Sequence, residues 1–247
     1  GLIHSFPTRR SSDLTATNRG AAVNKFDQYV NFTIKKCIIK DNVANREGTL
    51  SLTSENDGDI TIESCQFMNN FGRYGSGFSC NAKDGNTVNI KVNNSLFYNN
   101  TAADVPSGEE GFSGSSFFIG TNNGGTANAE ITNNTFSNNF DFGTNNNNDK
   151  GTVVLRRYLS GGVVTAEIHN NIFWNNFSDF SGSPTDKNIG IMNAGEDITS
   201  LNYTHNNNNS GSFDLSTIVN SLTESNNLEV DPLFVDESGF DFNLQAT

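Results

Sequence analysis

At 247 residues, with 34% hydrophobic and only 17% charged residues, the chain is too apolar and too sparsely charged to be a disordered acidic tail. Its formal net charge of -12 opposes nucleic-acid binding, which draws most of its affinity from a basic stripe, and disfavours acidic polysaccharide unless a bound cation bridges the carboxylates. It contains no run of about 18 apolar residues, so no transmembrane helix is expected within it.

In chain order, the segment HSFPTRRSSDL, His4 to Leu14, resembles the translation of a DNA-sequencing adapter. Residues 1–14 are therefore set aside as not native, 15–29 are read as a lead-in or partial rung, and 30–247 as a single elongated domain truncated at its C-terminus. One phrase then occurs five times: FTIKKCIIKDN from Phe32, ITIESCQFMNN from Ile60, IKVNNSLFYNN from Ile90, AEITNNTFSNN from Ala129 and AEIHNNIFWNN from Ala166. The anchors Ile34, Ile62, Val92, Ile131 and Ile168 are 28, 30, 39 and 37 residues apart. Constant content at variable spacing means fixed strands joined by variable loops.

Within each phrase apolar and polar residues alternate, as in Ile60, Thr61, Ile62, Glu63, which is the period of a half-buried strand. A small or polar residue follows (Cys37, Cys65, Ser95, Asn134, Asn171), and two positions later an apolar one (Ile39, Phe67, Phe97, Phe136, Phe173). Each phrase closes on Asn-Asn, or Asp41-Asn42 in the first copy, and Asn tolerates the left-handed backbone that a sharp turn needs. Later comes a second apolar run with Gly close before it: Gly48 before Leu50, Gly77 before Phe78, Gly114 before Phe117, Gly151 before Val153, and a weaker version at Ile189 and Ile191. About three short strands per repeat are expected.

One repeat cannot bury its apolar face alone, but coils stacked at the strand spacing of about 4.8 Å bury it against one another. The fold class is therefore all-β, a parallel β-solenoid of about six rungs and roughly 30 Å in length. Phe residues should stack along its axis, and the Asn134 and Asn171 amides should pair between rungs. Cys37 and Cys65 share one inward position on adjacent rungs; buried thiols are expected there, with a rung-to-rung disulfide as the alternative. Between Gly211 and Leu228, Leu215, Ile218, Val219 and Leu222 fall at helical spacing behind Asp214, so a short helix is expected. Apolar alternation returns in DPLFVDESGFDFNLQAT, from Asp231.

The F-x-N-N phrase, clearest in NNIFWNN (Asn170 to Asn176), resembles right-handed single-stranded parallel β-helix proteins of the pectin-lyase-like superfamily, whose repeats also occur in polymorphic outer-membrane proteins. DPLFVD (Asp231 to Asp236) followed by DFNLQ (Asp241 to Gln245) is similar to secreted or surface β-helix proteins of bacteria of the choice-of-anchor type. The resemblance implies an extracellular or cell-surface location, associated with the outer membrane, and many such proteins have no assigned chemistry.

The enzymes of that superfamily imply β-elimination by a basic residue beside a Ca²⁺-neutralised uronate, or hydrolysis by paired acids. The adjacent Asp pair and Gly-His-Gly segment of a polygalacturonase-like site are both missing. The residual catalytic candidates are Arg156 and Arg157, with Glu130 and Glu167 as outward neighbours; loops near Asp104 to Phe112 and Phe140 to Lys150 would wall their cleft. His169 reads as a solvated outward residue. No cofactor is required; Asp57 and Asp59, within Glu55 to Asp59, suggest Ca²⁺ as the one cation to consider, although an ordinary acidic turn accounts for them as well. For ligand binding the candidates are Tyr98 and Trp174, outward residues two rungs apart in the column Lys40, Met68, Tyr98, Ser137, Trp174, a spacing of about 10 Å that suits stacking on sugar rings. The expected function is a noncatalytic extracellular module, adhesin-like or a glycan- or protein-binding spacer. The alternative is a polysaccharide lyase or glycoside hydrolase of the same fold.

Overall fold

The computed structural model describes residues 2–5, 10–12, 15–16, 22–25, 31–102, 114–142, 151–158, 161–180, 183–186, 189–193, 201–206, 209–210, 222–228, 230–239 and 241–245. Among them every regular element is a strand, and no helix is long and apolar enough to cross a membrane. The chain is a parallel β-solenoid, wound so that each coil visits four faces in turn. Face A is an 8-stranded parallel sheet that includes Phe32–Lys35, Gly58–Glu63, Thr87–Asn93, Thr126–Thr132 and Val163–His169. Face B, with 7 strands, holds Ile39 of the first phrase and the Phe of the other four, as in Gln66–Met68 and Leu96–Tyr98. Face C consists mostly of two-residue strands such as Phe71–Gly72 and Thr101–Ala102, and face D, with 6 strands, carries the second apolar runs, among them Phe78–Lys83 and Phe117–Asn122.

Face C corrects the expectation of three strands per repeat: the Asn-Asn turn is followed at once by a strand too short to show a period. Both corners of the phrase depend on one residue in the left-handed region. Between faces A and B it is Lys36, Ser64, Asn94, Asn133 or Asn170, with φ between 50° and 56°; between B and C it is Asp41, Asn69, Asn99, Asn138 or Asn175, with φ between 51° and 57°. Asn dominates these positions because its short amide tolerates that conformation. Before face D the constraint is steric instead. A Cβ on Gly48 would lie 1.8 Å from the carbonyl oxygen of Gly75 in the next coil, so no other residue fits there.

The core is continuous along the axis. Phe67, Phe97, Phe136 and Phe173 stack with ring centroids 4.7, 5.0 and 4.7 Å apart and interplanar angles of 12°, 16° and 5°. All four are completely buried, each contributing roughly 1.5–3 kcal/mol by transfer from water. Two polar ladders line this core at its corners. At the A–B corner the Asn134 amide donates to Asn171 Oδ1 at 3.0 Å, as expected. At the B–C corner the second Asn of each phrase forms a longer ladder: Asn42, Asn70, Asn100, Asn139 and Asn176, linked Nδ2 to Oδ1 at 3.0, 2.9, 3.0 and 2.9 Å. Cys37, Cys65 and Cys80 are buried thiols, none of them in a disulfide. Burial pushes the Cys65 thiol up to about 11 and that of Cys80 up to about 12.

Three segments depart from the sequence-based expectation or extend it. Leu222–Ser225 is a face-A strand paired with Tyr203–Asn206, where Leu222 was expected in a short helix between Gly211 and Leu228; the open edge of a parallel sheet offers hydrogen bonds that outweigh a weak helical period. Leu215, Ile218 and Val219 lie outside the described residues. The DPLFVD and DFNLQ segments form an antiparallel pair, Phe234–Asp236 with Asp241–Leu244, instead of a further rung. At the other end Leu2–Ser5 and Arg10–Ser12, set aside by sequence, stack in register on Phe32–Lys35 and Ile38–Lys40.

Candidate functional site

Strand alternation places every second side chain of face A on the outside. In Thr87–Asn93, Val88, Ile90 and Val92 are buried while Asn89 and Lys91 are exposed. Because the strands stack without register shift, the outward residues form straight columns: Asp59, Asn89, Asn128, Thr165 in one and Thr61, Lys91, Glu130, Glu167 in the next. Together they line an open groove of about 570 Å³ across four coils.

The first column is a hydrogen-bonded array. Asn89 Nδ2 donates to Asp59 Oδ1 at 2.9 Å and Asn128 Nδ2 donates to Asn89 Oδ1 at 3.1 Å. In the second, Lys91 Nζ is held by both carboxylate oxygens of Glu130, at 3.0 and 3.1 Å. Glu167 occupies the next register position, its side chain 63% exposed, and its carboxylate lies 3.8 Å from His169 Nε2. At the groove's margin the Lys35 ammonium, 2.6 Å from Glu63, hydrogen-bonds its carboxylate and holds it below the ordinary range. The surface therefore offers fixed amides, hydroxyls, carboxylates and two carboxylate-bound ammoniums, Lys91 within the groove and Lys35 beside it.

The sequence-based candidates are distributed over several faces. Asp59 lies in the groove, whereas Asp57 precedes it and accepts the Thr87 backbone N–H at 2.7 Å, so both acids serve in bonds between coils. Among the described residues no three His, Cys, Asp or Glu side chains form a group able to hold a metal ion. Arg156 lies in face D and is buried, in register with Gly120, while Glu130 and Glu167 belong to face A. Arg157 is in register with Thr121, and its side chain, like the loop segments 103–113 and 143–150, lies outside the described residues. The outside of face D is not a solvent face: Tyr74, Phe118 and Val154 form a second buried cluster there.

Tyr98 and Trp174 are half-buried on face B and flank Ser137 in register. The C-terminal hairpin packs against the Tyr98 end of that column. Phe242 meets Tyr98 at a centroid distance of 5.2 Å and a tilt of 60°, Glu237 accepts from Asn138 Nδ2 at 2.8 Å, and Ser137 Oγ also donates to Glu237. Sequence reasoning missed Thr61, Asn89, Lys91, Asn128 and Thr165. Their signal was present as the polar positions of the alternating phrase, but their joint concavity was not. No protein-family model, curated protein or solved structure matches this chain.

Proposed function

We propose that this chain is a noncatalytic recognition module of a secreted or cell-surface protein of the pectin-lyase-like superfamily, a rigid spacer whose face-A groove binds a hydroxyl-rich glycan. The observation that carries the reading is the amide column Asp59–Asn89–Asn128, fixed by rung-to-rung hydrogen bonds along an open groove. Amides locked in this way lose little freedom when a ligand's hydroxyls replace water, which favours binding over a mobile polar surface. Trp174 on face B adds a stacking surface of the kind that sugar rings use. Lys91, the groove's one ammonium, is held by both oxygens of Glu130, which suits a structural cation more than a proton-abstracting base.

A second reading, a glycoside hydrolase, draws on the adjacent register of Glu130 and Glu167. Neighbouring strands lie about 4.8 Å apart, near the carboxylate separation of about 5 Å used by retaining enzymes. One experiment separates the two. The protein is titrated with a panel of polysaccharides while new reducing and unsaturated ends are monitored. Binding without product, weakened about three- to ten-fold in Asn89→Ala or Asn128→Ala, is the expected result. Product formation abolished in Glu167→Gln would replace the module with the enzyme.

A further inference from the structure

The charge inventory of the groove carries the ligand further than its hydrogen-bonding character does. Its lining holds three carboxylates, Asp59, Glu130 and Glu167, against the single ammonium of Lys91. That ammonium is engaged by Glu130, so Asp59 and Glu167 remain as the negative charges facing a ligand at the two ends of the groove. An acidic chain meets repulsion here, in a protein whose net charge is already -12. A neutral chain brings no positive charge to either carboxylate, where Asp59 has the uncharged Asn89 amide as its partner and Glu167 has His169 3.8 Å away, so their desolvation is poorly offset.

We propose that the groove selects an amino-sugar chain, a glycan whose rings carry protonated amines. The inference rests on the glycan reading given above. The ammonium groups would pair with Glu167 and Asp59, while ring hydroxyls would exchange hydrogen bonds with Thr61, Asn89, Asn128 and Thr165. A basic peptide would satisfy the same carboxylates. It is disfavoured because Ile60, Ile90 and Ala129 turn inward and are buried, so the outward side chains of the groove are all polar and give a peptide's apolar groups nothing to pack on.

The test is calorimetric titration of the whole chain, at a mildly acid pH where the sugar amines are charged, with four probes. These are a glucosamine oligomer, its fully N-acetylated counterpart, a galacturonate oligomer and a lysine oligomer. Glu167→Gln is the informative variant, since its side chain is largely exposed and its replacement leaves the core untouched. The free-amine oligomer should bind about five-fold or more tightly than the acetylated one, the galacturonate oligomer should bind weakest, and Glu167→Gln should weaken the free-amine oligomer more than the acetylated one and so erase much of the amine preference. Equal affinity for the free and acetylated oligomers would overturn the amine selectivity and leave the glycan groove standing. No binding by any glycan would remove the groove as a glycan site and the selectivity with it. A lysine oligomer that binds as tightly as the amino sugar, with the same dependence on Glu167, would make the ligand a basic peptide and overturn the inference.

Discussion

The two corners of the repeated phrase solve the same problem with different side chains. At the B–C corner all five coils place an Asn in the interior, and the Oδ1 atoms of Asn70, Asn100, Asn139 and Asn176 each accept two hydrogen bonds from the coil before, one from a backbone N–H and one from an amide. At the A–B corner the equivalent residues are Cys37, Cys65, Ser95, Asn134 and Asn171, and the ladder changes character along the axis. Asn134 and Asn171 behave as at the other corner. Ser95 Oγ still accepts the Cys65 N–H at 3.0 Å, but the Cys65 thiol turns to the carbonyls of Glu63 and Ile34. A side chain that both donates and accepts along the axis propagates a ladder; one that does only part of this ends it.

The largest test of that difference is Asn100→Ala. It removes the bonds from Asn100 Nδ2 to Phe67 O and Asn139 Oδ1 and those that Asn100 Oδ1 accepts from Asn70, so the buried Phe67 carbonyl and Asn70 N–H of the preceding coil each lose a partner. A loss of about 3–4 kcal/mol is expected in urea denaturation. Ser95→Ala, the counterpart at the other corner, strands only the Cys65 N–H and should cost about 1–2 kcal/mol. Equal losses would show that the two corners contribute alike and that the amide ladder has no special weight.

The smallest effect concerns the thiol end of the A–B ladder and the face-D thiol of Cys80. Burial raises Cys65 to about 11 and Cys80 to about 12, from an ordinary thiol value of 9.0. A group whose folded pKa is raised contributes its full stability below the unfolded value and loses it as pH climbs through the folded one. Denaturation midpoints should therefore hold up to about pH 9 and decline above it, and the decline should shrink in Cys80→Ala measured relative to its own midpoint at neutral pH. A flat alkaline limb would mean that these thiols ionise as easily in the native state as in the unfolded chain.

The sequence made faces A, B and D legible because their strands are long enough, or their apolar residues regular enough, to show a period of two. Face C was hidden for the opposite reason: Val43–Ala44 or Thr101–Ala102 has no room for a period. The Asn pairs were legible as turns, which is true of the first member, at positive φ. The second member's role depends on a neighbour 28 to 39 residues away, and local propensity carries no trace of that. Arg156 shows the same limit. It was a catalytic candidate beside Glu130 and Glu167, but it lies in face D while they lie in face A, and the cluster of Tyr74, Phe118 and Val154 means that outward on face D is not toward water. The groove residues lay in plain view as the polar half of each strand. What singled them out was the stacking of four coils without register shift.

The long ladder also gives the solenoid an electrical sense. From Asn42 to Asn139 each amide sends one N–H to the Oδ1 of the following coil, always in the same direction, while Asn70, Asn100, Asn139 and Asn176 also donate to a carbonyl of the preceding coil. Aligned dipoles of this kind add and polarise one another, as peptide groups do along an α-helix. The amide-to-amide links of this corner therefore share one direction along the axis, although each coil has nearly the same composition at its corner.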